Sequence, residues 1–210
     1  MLDFPGFGES SFPNRDLTIY DYGYLIKDFI KILNIDNPVI IGHSFGSRIV
    51  AILVGMLNFI PQKLIIIDGA GIKRIKKISY YIKTYFYKFL KLLRYFLKKQ
   101  YRQKYLDKLS KTFGSSDYNQ LDSNMKKTFV NVVNEDLSLF YKNIKQDTLI
   151  LWGECDIDTP IKNGKKIERL IDNSELIVLK DATHFSYIDS PTLTNNIIYA
   201  YLEDLIEEKN

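Results

Sequence analysis

Ser44 stands at the centre of Gly42-His43-Ser44-Phe45-Gly46, between the apolar run Pro38-Val39-Ile40-Ile41 and a helix-like segment, Ser47 to Gly55. A serine on a strand-to-helix hairpin sits in a strained turn with its hydroxyl exposed, and residues without bulk two places to either side let the backbone turn that tightly. Ser44 is therefore a candidate nucleophile. A serine hydroxyl is a poor nucleophile at neutral pH. An imidazole must take its proton, and a carboxylate must fix the tautomer of that imidazole and stabilise its cationic form. The chain offers two histidines. His43 directly precedes Ser44, and its side chain is expected to leave the strand end on the opposite side, so by elimination the base is His184. The acid is expected to be Asp156, in the loop after Trp152-Gly153, rather than Asp158 beside Thr159-Pro160. Asp68, which ends Ile67-Asp68-Gly69, is the second choice. Asp158 and Asp189 read as loop solvation and helix capping.

Four continuous apolar runs must position these groups: Pro38 to Ile41, Lys63 to Ile67, Thr148 to Trp152 and Glu175 to Leu179. Runs rich in β-branched residues without alternation predict strands buried on both faces of a parallel sheet. Helical periods occur between them, over Asp21 to Leu33, Ser47 to Leu57 and Ile161 to Ile171. Strand alternating with helix makes this an α/β fold with a mostly parallel sheet covered by helices. Core sequence is expected in residues 1–70 and 147–210, with a helical insertion over 71–146 that carries amphipathic stretches at Ile75 to Leu97 and Ser123 to Phe140. The serine, the acid and the histidine all follow strand ends, where ligands of such sheets bind.

At 210 residues and 46% apolar composition, the chain can bury one sizeable core. It contains neither an eighteen-residue uncharged apolar stretch nor a signal-peptide pattern at its start, so a cytoplasmic location is expected. The one cysteine, Cys155, has no partner for an internal disulfide or a metal cluster. Charge is unevenly spread: twelve of the 29 Lys and Arg residues fall in 73–104, where no Asp or Glu occurs, so with +4 overall the remainder carries −8. That basic stretch has no accompanying nucleic-acid motif, and nucleic acid is not expected as a partner. Two arrangements fit it: a solvated outer face with Tyr and Phe packed inward, which the sequence favours, and a helix lying on an anionic membrane surface.

Asp3-Phe4-Pro5-Gly6-Phe7-Gly8-Glu9-Ser10, Gly42-His43-Ser44-Phe45-Gly46, Trp152-Gly153-Glu154-Cys155-Asp156 and the His184 segment occur in that order. Through these four motifs the chain resembles the α/β-hydrolase superfamily, in which the triad runs Ser, acid, His. The resemblance spans essentially the whole chain apart from the insertion. It implies a serine hydrolase with a helical cap over its pocket, working without metal or cofactor. Serine at position 44, where dehalogenases and epoxide hydrolases of the superfamily carry aspartate, argues against those reactions. It also implies that three strands, and the loop donating a second oxyanion N–H, lie upstream of Met1, leaving the N–H of Phe45. Loss of one donor costs about 3 to 4 kcal/mol, a rate loss on the order of a hundred- to a thousandfold. Without its neighbour the Ser44 strand becomes an apolar edge, and the isolated chain is expected to aggregate.

The function expected on these grounds is hydrolysis of a small, apolar carboxylic ester. The alternative is an inactive hydrolase fragment or a binding module.

Overall fold

The computed structural model describes residues 2–73, 78–113 and 116–207. Leu64-Ile65-Ile66-Ile67 and Thr148-Leu149-Ile150-Leu151-Trp152-Gly153 are buried at every position, as strands apolar on both faces require. They form β2 (Leu64–Ile67) and β3 (Thr148–Gly153), the middle of a parallel sheet ordered β1-β2-β3-β4, with β1 (Ile40–His43) and β4 (Ser174–Leu179) outside. The first strand lies two residues later than its apolar run predicts. Its pairing with β2, from Ile40 opposite Leu64 to His43 opposite Ile67, carries extended backbone right up to Ser44. Each outer strand has one neighbour among the described residues, and its side chains are correspondingly less covered: Ile41 is 52% exposed and Val178 42%.

The helices are α1 (Ile19–Ile32), α2 (Phe45–Gly55), α3 (Ile78–Leu92), α4 (Lys99–Phe113), α5 (Ser116–Gln120), α6 (Lys126–Asn134), α7 (Ser138–Asn143), α8 (Lys162–Leu170), α9 (Ser186–Asp189), α10 (Pro191–Tyr201) and α11 (Glu203–Glu207), with a 3-10 turn at Leu93–Phe96. Thr18 starts α1 through a reciprocal cap. Its hydroxyl oxygen accepts the Asp21 N–H, and the Asp21 carboxylate accepts the Thr18 N–H at 2.8 Å. The chain divides into two compact units, one of Met1–Asp16 with Arg74–Val130, the other of Leu17–Lys73 with Asn131–Asn210.

The second unit holds the sheet. On one face Ile65, Ile67, Leu149 and Leu151 form a buried cluster against Ile197, Ile198 and Tyr201 of α10. That helix, opened by Pro191 at its first turn, was not among the segments the sequence pattern singled out. Trp152 is fully buried, and its indole N–H donates to the Thr159 carbonyl at 2.7 Å. Helix α1 lies along α2, where Tyr22 and Phe45 meet edge to face at 5.4 Å. The single amphipathic segment expected over 123–140 is two helices. Between α6 and α7, the Asp136 carboxylate accepts the N–H and hydroxyl of Ser138, and buried Leu137 sends its N–H to the Gly71 carbonyl at 2.8 Å. Local capping wins over the period there.

The first unit is helical. Its N-terminal turn is tied by Asp3, whose carboxylate accepts the Glu9 N–H and whose carbonyl accepts the Ser10 hydroxyl at 2.7 Å. Helices α3 and α4 pack together, with the Tyr105 hydroxyl donating to the Leu90 carbonyl at 2.8 Å. The apolar residues of α3 do not all turn inward: Ile78, Ile82, Phe86 and Phe89 are each more than half exposed. No helix among the described residues is long and apolar enough to cross a membrane.

Candidate active site

Strand β1 ends at His43, and α2 begins at Phe45, so the whole reversal falls on Ser44. Its backbone takes φ 48° and ψ −110°, a combination outside the regions L-residues ordinarily occupy. Neighbouring groups hold it there. The Ser44 N–H donates to the Ile67 carbonyl at 3.1 Å, and the Ser44 carbonyl accepts the Ser47 hydroxyl at 2.7 Å and the Ala70 N–H at 3.2 Å. Beneath them lies buried Tyr141, whose hydroxyl lies 2.6 Å from the Ala70 carbonyl and 3.0 Å from that of Ser47. Burial pushes the Tyr141 phenol up to about 12, so it stays a neutral donor.

The two glycines flanking the elbow differ. A side chain at Gly42 would bring Cβ within 2.8 Å of Val50 and 3.0 Å of the Ser47 nitrogen, whereas one at Gly46 would meet nothing within 4 Å. Crowding therefore accounts for the first glycine and not the second.

The Ser44 side chain makes no cap bond to α2. Instead Oγ lies 2.8 Å from His184 Nε2, and His184 Nδ1 lies 2.9 Å from Asp156 Oδ2. Because a carboxylate only accepts, Nδ1 carries the proton on the neutral ring and Nε2 is left to accept the serine hydroxyl. Asp156 is itself oriented. Its Oδ1 accepts the N–H groups of Asp158 and Thr159, both at 2.8 Å, and Oδ2 accepts the Thr159 hydroxyl at 2.7 Å. The carboxylate is buried and the imidazole largely so, while Asp158 is exposed and takes part through its backbone.

Asp68, the second candidate for the acid, faces other partners. Its Oδ1 accepts the Gly153 N–H at 2.7 Å, and Oδ2 accepts the Ser186 hydroxyl at 2.6 Å and the Ser186 N–H at 3.2 Å. It pins the end of β3 to the start of α9. Burial raises its carboxyl above the usual range, against the lowering effect of those donors. The His184 loop is fitted equally closely over Gly153, where a Cβ would lie 2.1 Å from the Thr183 carbonyl oxygen.

His43 is in contact with the loop that carries His184. Its Nε2–H donates to the His184 carbonyl at 2.9 Å, and its ring centroid lies 5.1 Å from those of His184 and Tyr187. The loop carrying His184 thus packs on the end of β1. Asp189, set aside as a solvated carboxylate, accepts the N–H and hydroxyl of Thr183, both at 2.6 Å. These bonds hold its carboxyl below the usual range. The spacing of Asp156 and Thr159 could have signalled a side-chain turn. No local pattern pairs Tyr141 with the elbow or Asp189 with Thr183.

Phe45 opens the eleven-residue α2, so its N–H lies at a helix N-terminus, where backbone donors and the helix dipole favour negative charge. Together the groups offer a half-buried hydroxyl oxygen on the elbow with a hydrogen-bonded base, an oriented carboxylate behind that base, and a helix that begins at the next residue.

Among known proteins, the chain is 25% identical over 162 residues to a Mycoplasma genitalium protein provisionally named esterase/lipase 3, covering 75% of this chain and 59% of that one. It is 25% identical to mouse epoxide hydrolase 4 over 97% of this chain and 65% of the relative. The chain thus spans less than two thirds of the length of both. An esterase structure from Exiguobacterium antarcticum superposes with a TM-score of 0.68 at 20% identity, over 96% of this chain and 80% of that one. With a sequence match to the α/β hydrolase fold that runs through residues 1–191, the chain belongs to that family.

Proposed function

We propose that this protein is a serine hydrolase that cleaves a carboxylic ester through an acyl-enzyme. One observation carries the proposal: the unbroken hydrogen-bonded line from Asp156 Oδ2 through His184 to Ser44 Oγ, at 2.9 and 2.8 Å, ending on a serine held at positive φ. Ser44 Oγ attacks the ester carbonyl as His184 Nε2 takes its proton. Asp156 stabilises the imidazolium through Nδ1–H and is not itself protonated. The Phe45 N–H meets the oxyanion as charge develops on the carbonyl oxygen. His184 then returns the proton to the departing alcohol. Water attacks the acyl-serine with His184 again as base, releasing the carboxylic acid and regenerating Ser44. The esterase/lipase name of the Mycoplasma relative lends support to an ester as substrate. The epoxide hydrolase relative does not favour epoxide opening here, because that reading would need a carboxylate where Ser44 stands.

A fluorophosphonate probe tests the proposal, since it is attacked only by an activated serine. Labelling of the wild-type chain that is lost in Ser44→Ala supports it. A folded wild-type chain that takes no label overturns it in favour of a fragment or binding module.

A further inference from the structure

Helix α3 and the following turn place apolar residues at 78, 82, 85, 86, 89, 92 and 96, a spacing that gathers them into one arc about a third of the circumference wide. That arc faces outward. Ile78 is 79% exposed, Ile82 65%, Phe86 54%, Phe89 57% and Phe96 88%. Soluble helices normally turn such an arc to the core, and contiguous exposed apolar surface of this kind marks an interaction site. The arrangement reverses the expectation that the aromatic side chains pack inward.

Charge identifies what the arc fits. No acidic residue occurs between Asp68 and Asp107. Lys88, Lys91 and Arg94 line a surface hollow with Leu92 and Tyr95; on the same spacing Lys88 falls at the edge of the arc next to Leu92, and Lys91 and Arg94 on the polar face behind it, and among the described residues none of the three is paired with a carboxylate. The Arg94 guanidinium lies over the Tyr95 ring at 4.7 Å and donates to its hydroxyl at 2.8 Å, with no carboxylate partner among the described residues. An exposed apolar and aromatic stripe on a helix whose polar side carries unneutralised cations matches a surface that is apolar within and negatively charged outside.

We infer that the outer face of α3 and its 3-10 turn docks on the surface of a bilayer carrying anionic lipid, with the apolar arc in the headgroup and acyl boundary, Lys88 at the edge of the arc on lipid phosphate, and Lys91 and Arg94 on the polar face drawn by the negative surface potential. The inference is independent of the chemistry assigned to Ser44.

Flotation of the full chain with vesicles tests it, because aggregated protein does not float. The chain rises with phosphatidylcholine vesicles containing phosphatidylglycerol and far less with phosphatidylcholine alone. Raising the salt releases it, a readout on the wild-type chain that needs no variant to fold. Lys88→Glu, Lys91→Glu and Arg94→Glu together weaken partitioning by roughly tenfold or more. Phe86→Ser with Phe89→Ser weakens it by roughly tenfold or more. Failure to float with either vesicle, equal flotation with both, or salt-independent flotation overturns the inference. So does a dimer in sedimentation that Phe86→Ser with Phe89→Ser converts to monomer without any flotation of the wild type, since a second copy would then cover the arc.

Discussion

Helices α2 and α3 carry the same kind of sequence, apolar residues on a helical period, and present them in opposite ways. From Ile49 to Val54 of α2 no residue is more than 5% exposed, whereas Ile78 and Ile82 of α3 are 79% and 65% exposed. The difference lies outside the helices. α2 is wedged between β1, α1 and α7, three elements that cover it on separate sides, while α3 packs chiefly on α4 and the adjoining turn. Periodicity decides which residues share a face. What covers that face depends on contacts from elsewhere in the chain, and an apolar face left uncovered is a feature to explain by function.

The contrast is sharpest at the level of chemistry. If activity resides at the carboxyl ends of the strands, one atom exchanged there outweighs any change on α3. Asp156→Asn keeps an oxygen for the Asp158 and Thr159 N–H groups but lets His184 settle in the wrong tautomer, and kcat falls by about 10⁴. Asp68→Asn, directed at Gly153 and Ser186, leaves kcat within about tenfold and lowers stability by about 1 to 3 kcal/mol. Steady-state ester hydrolysis and denaturant unfolding of both variants distinguish the assignments. Reversal of the two outcomes would make Asp68 the catalytic acid.

The packing contrast has its own test, smaller in size. Ile52 of α2 is fully buried, and Ile52→Ala removes about 2 to 5 kcal/mol through lost burial and the cavity left behind. Phe86→Ala, which deletes a larger side chain from α3, lowers stability by about 1 kcal/mol, because more than half of Phe86 already lies in water. Trp152, the one tryptophan and fully buried in β3, reports unfolding of the unit that also holds α2, and far-UV ellipticity follows the loss of helix in the whole chain. A loss of several kcal/mol from Phe86→Ala would mean that the α3 arc is covered after all.

How much of this could be read in advance follows the same line. β2 and β3 are legible because central parallel strands are apolar on both faces, and the Ser44 elbow is legible because glycine, serine and a following helix leave a local signature. His184 and Asp156 are legible as candidates through their places after strand ends, and in the structure both lie within hydrogen-bond distance of their neighbours in the line to Ser44. Long-range partnerships had no such signature. His43 against the His184 carbonyl, Tyr141 under the elbow and Asp68 between Gly153 and Ser186 join residues that only the fold brings together. α10 has a weak signature because its apolar residues spread around the helix without a sharp stripe.

The smallest effect separates two carboxylates that both serve the His184 loop from opposite environments. Asp189 is exposed and its carboxyl is held low by the Thr183 hydroxyl and N–H. A depressed folded value means that its contribution is present above the unfolded value of about 4 and is lost as the pH falls through the lower folded one. Asp68 is buried and its carboxyl is held high by desolvation. Its contribution is therefore complete below about pH 4 and declines as the pH rises through the raised value. Unfolding midpoints of wild type, Asp189→Asn and Asp68→Asn across this range subtract out every other titrating group. The gap to Asp189→Asn closes on acidification, while the gap to Asp68→Asn narrows as the pH is raised. Two gaps that move in the same direction would mean that the loop around His184 is not held from one exposed and one buried side.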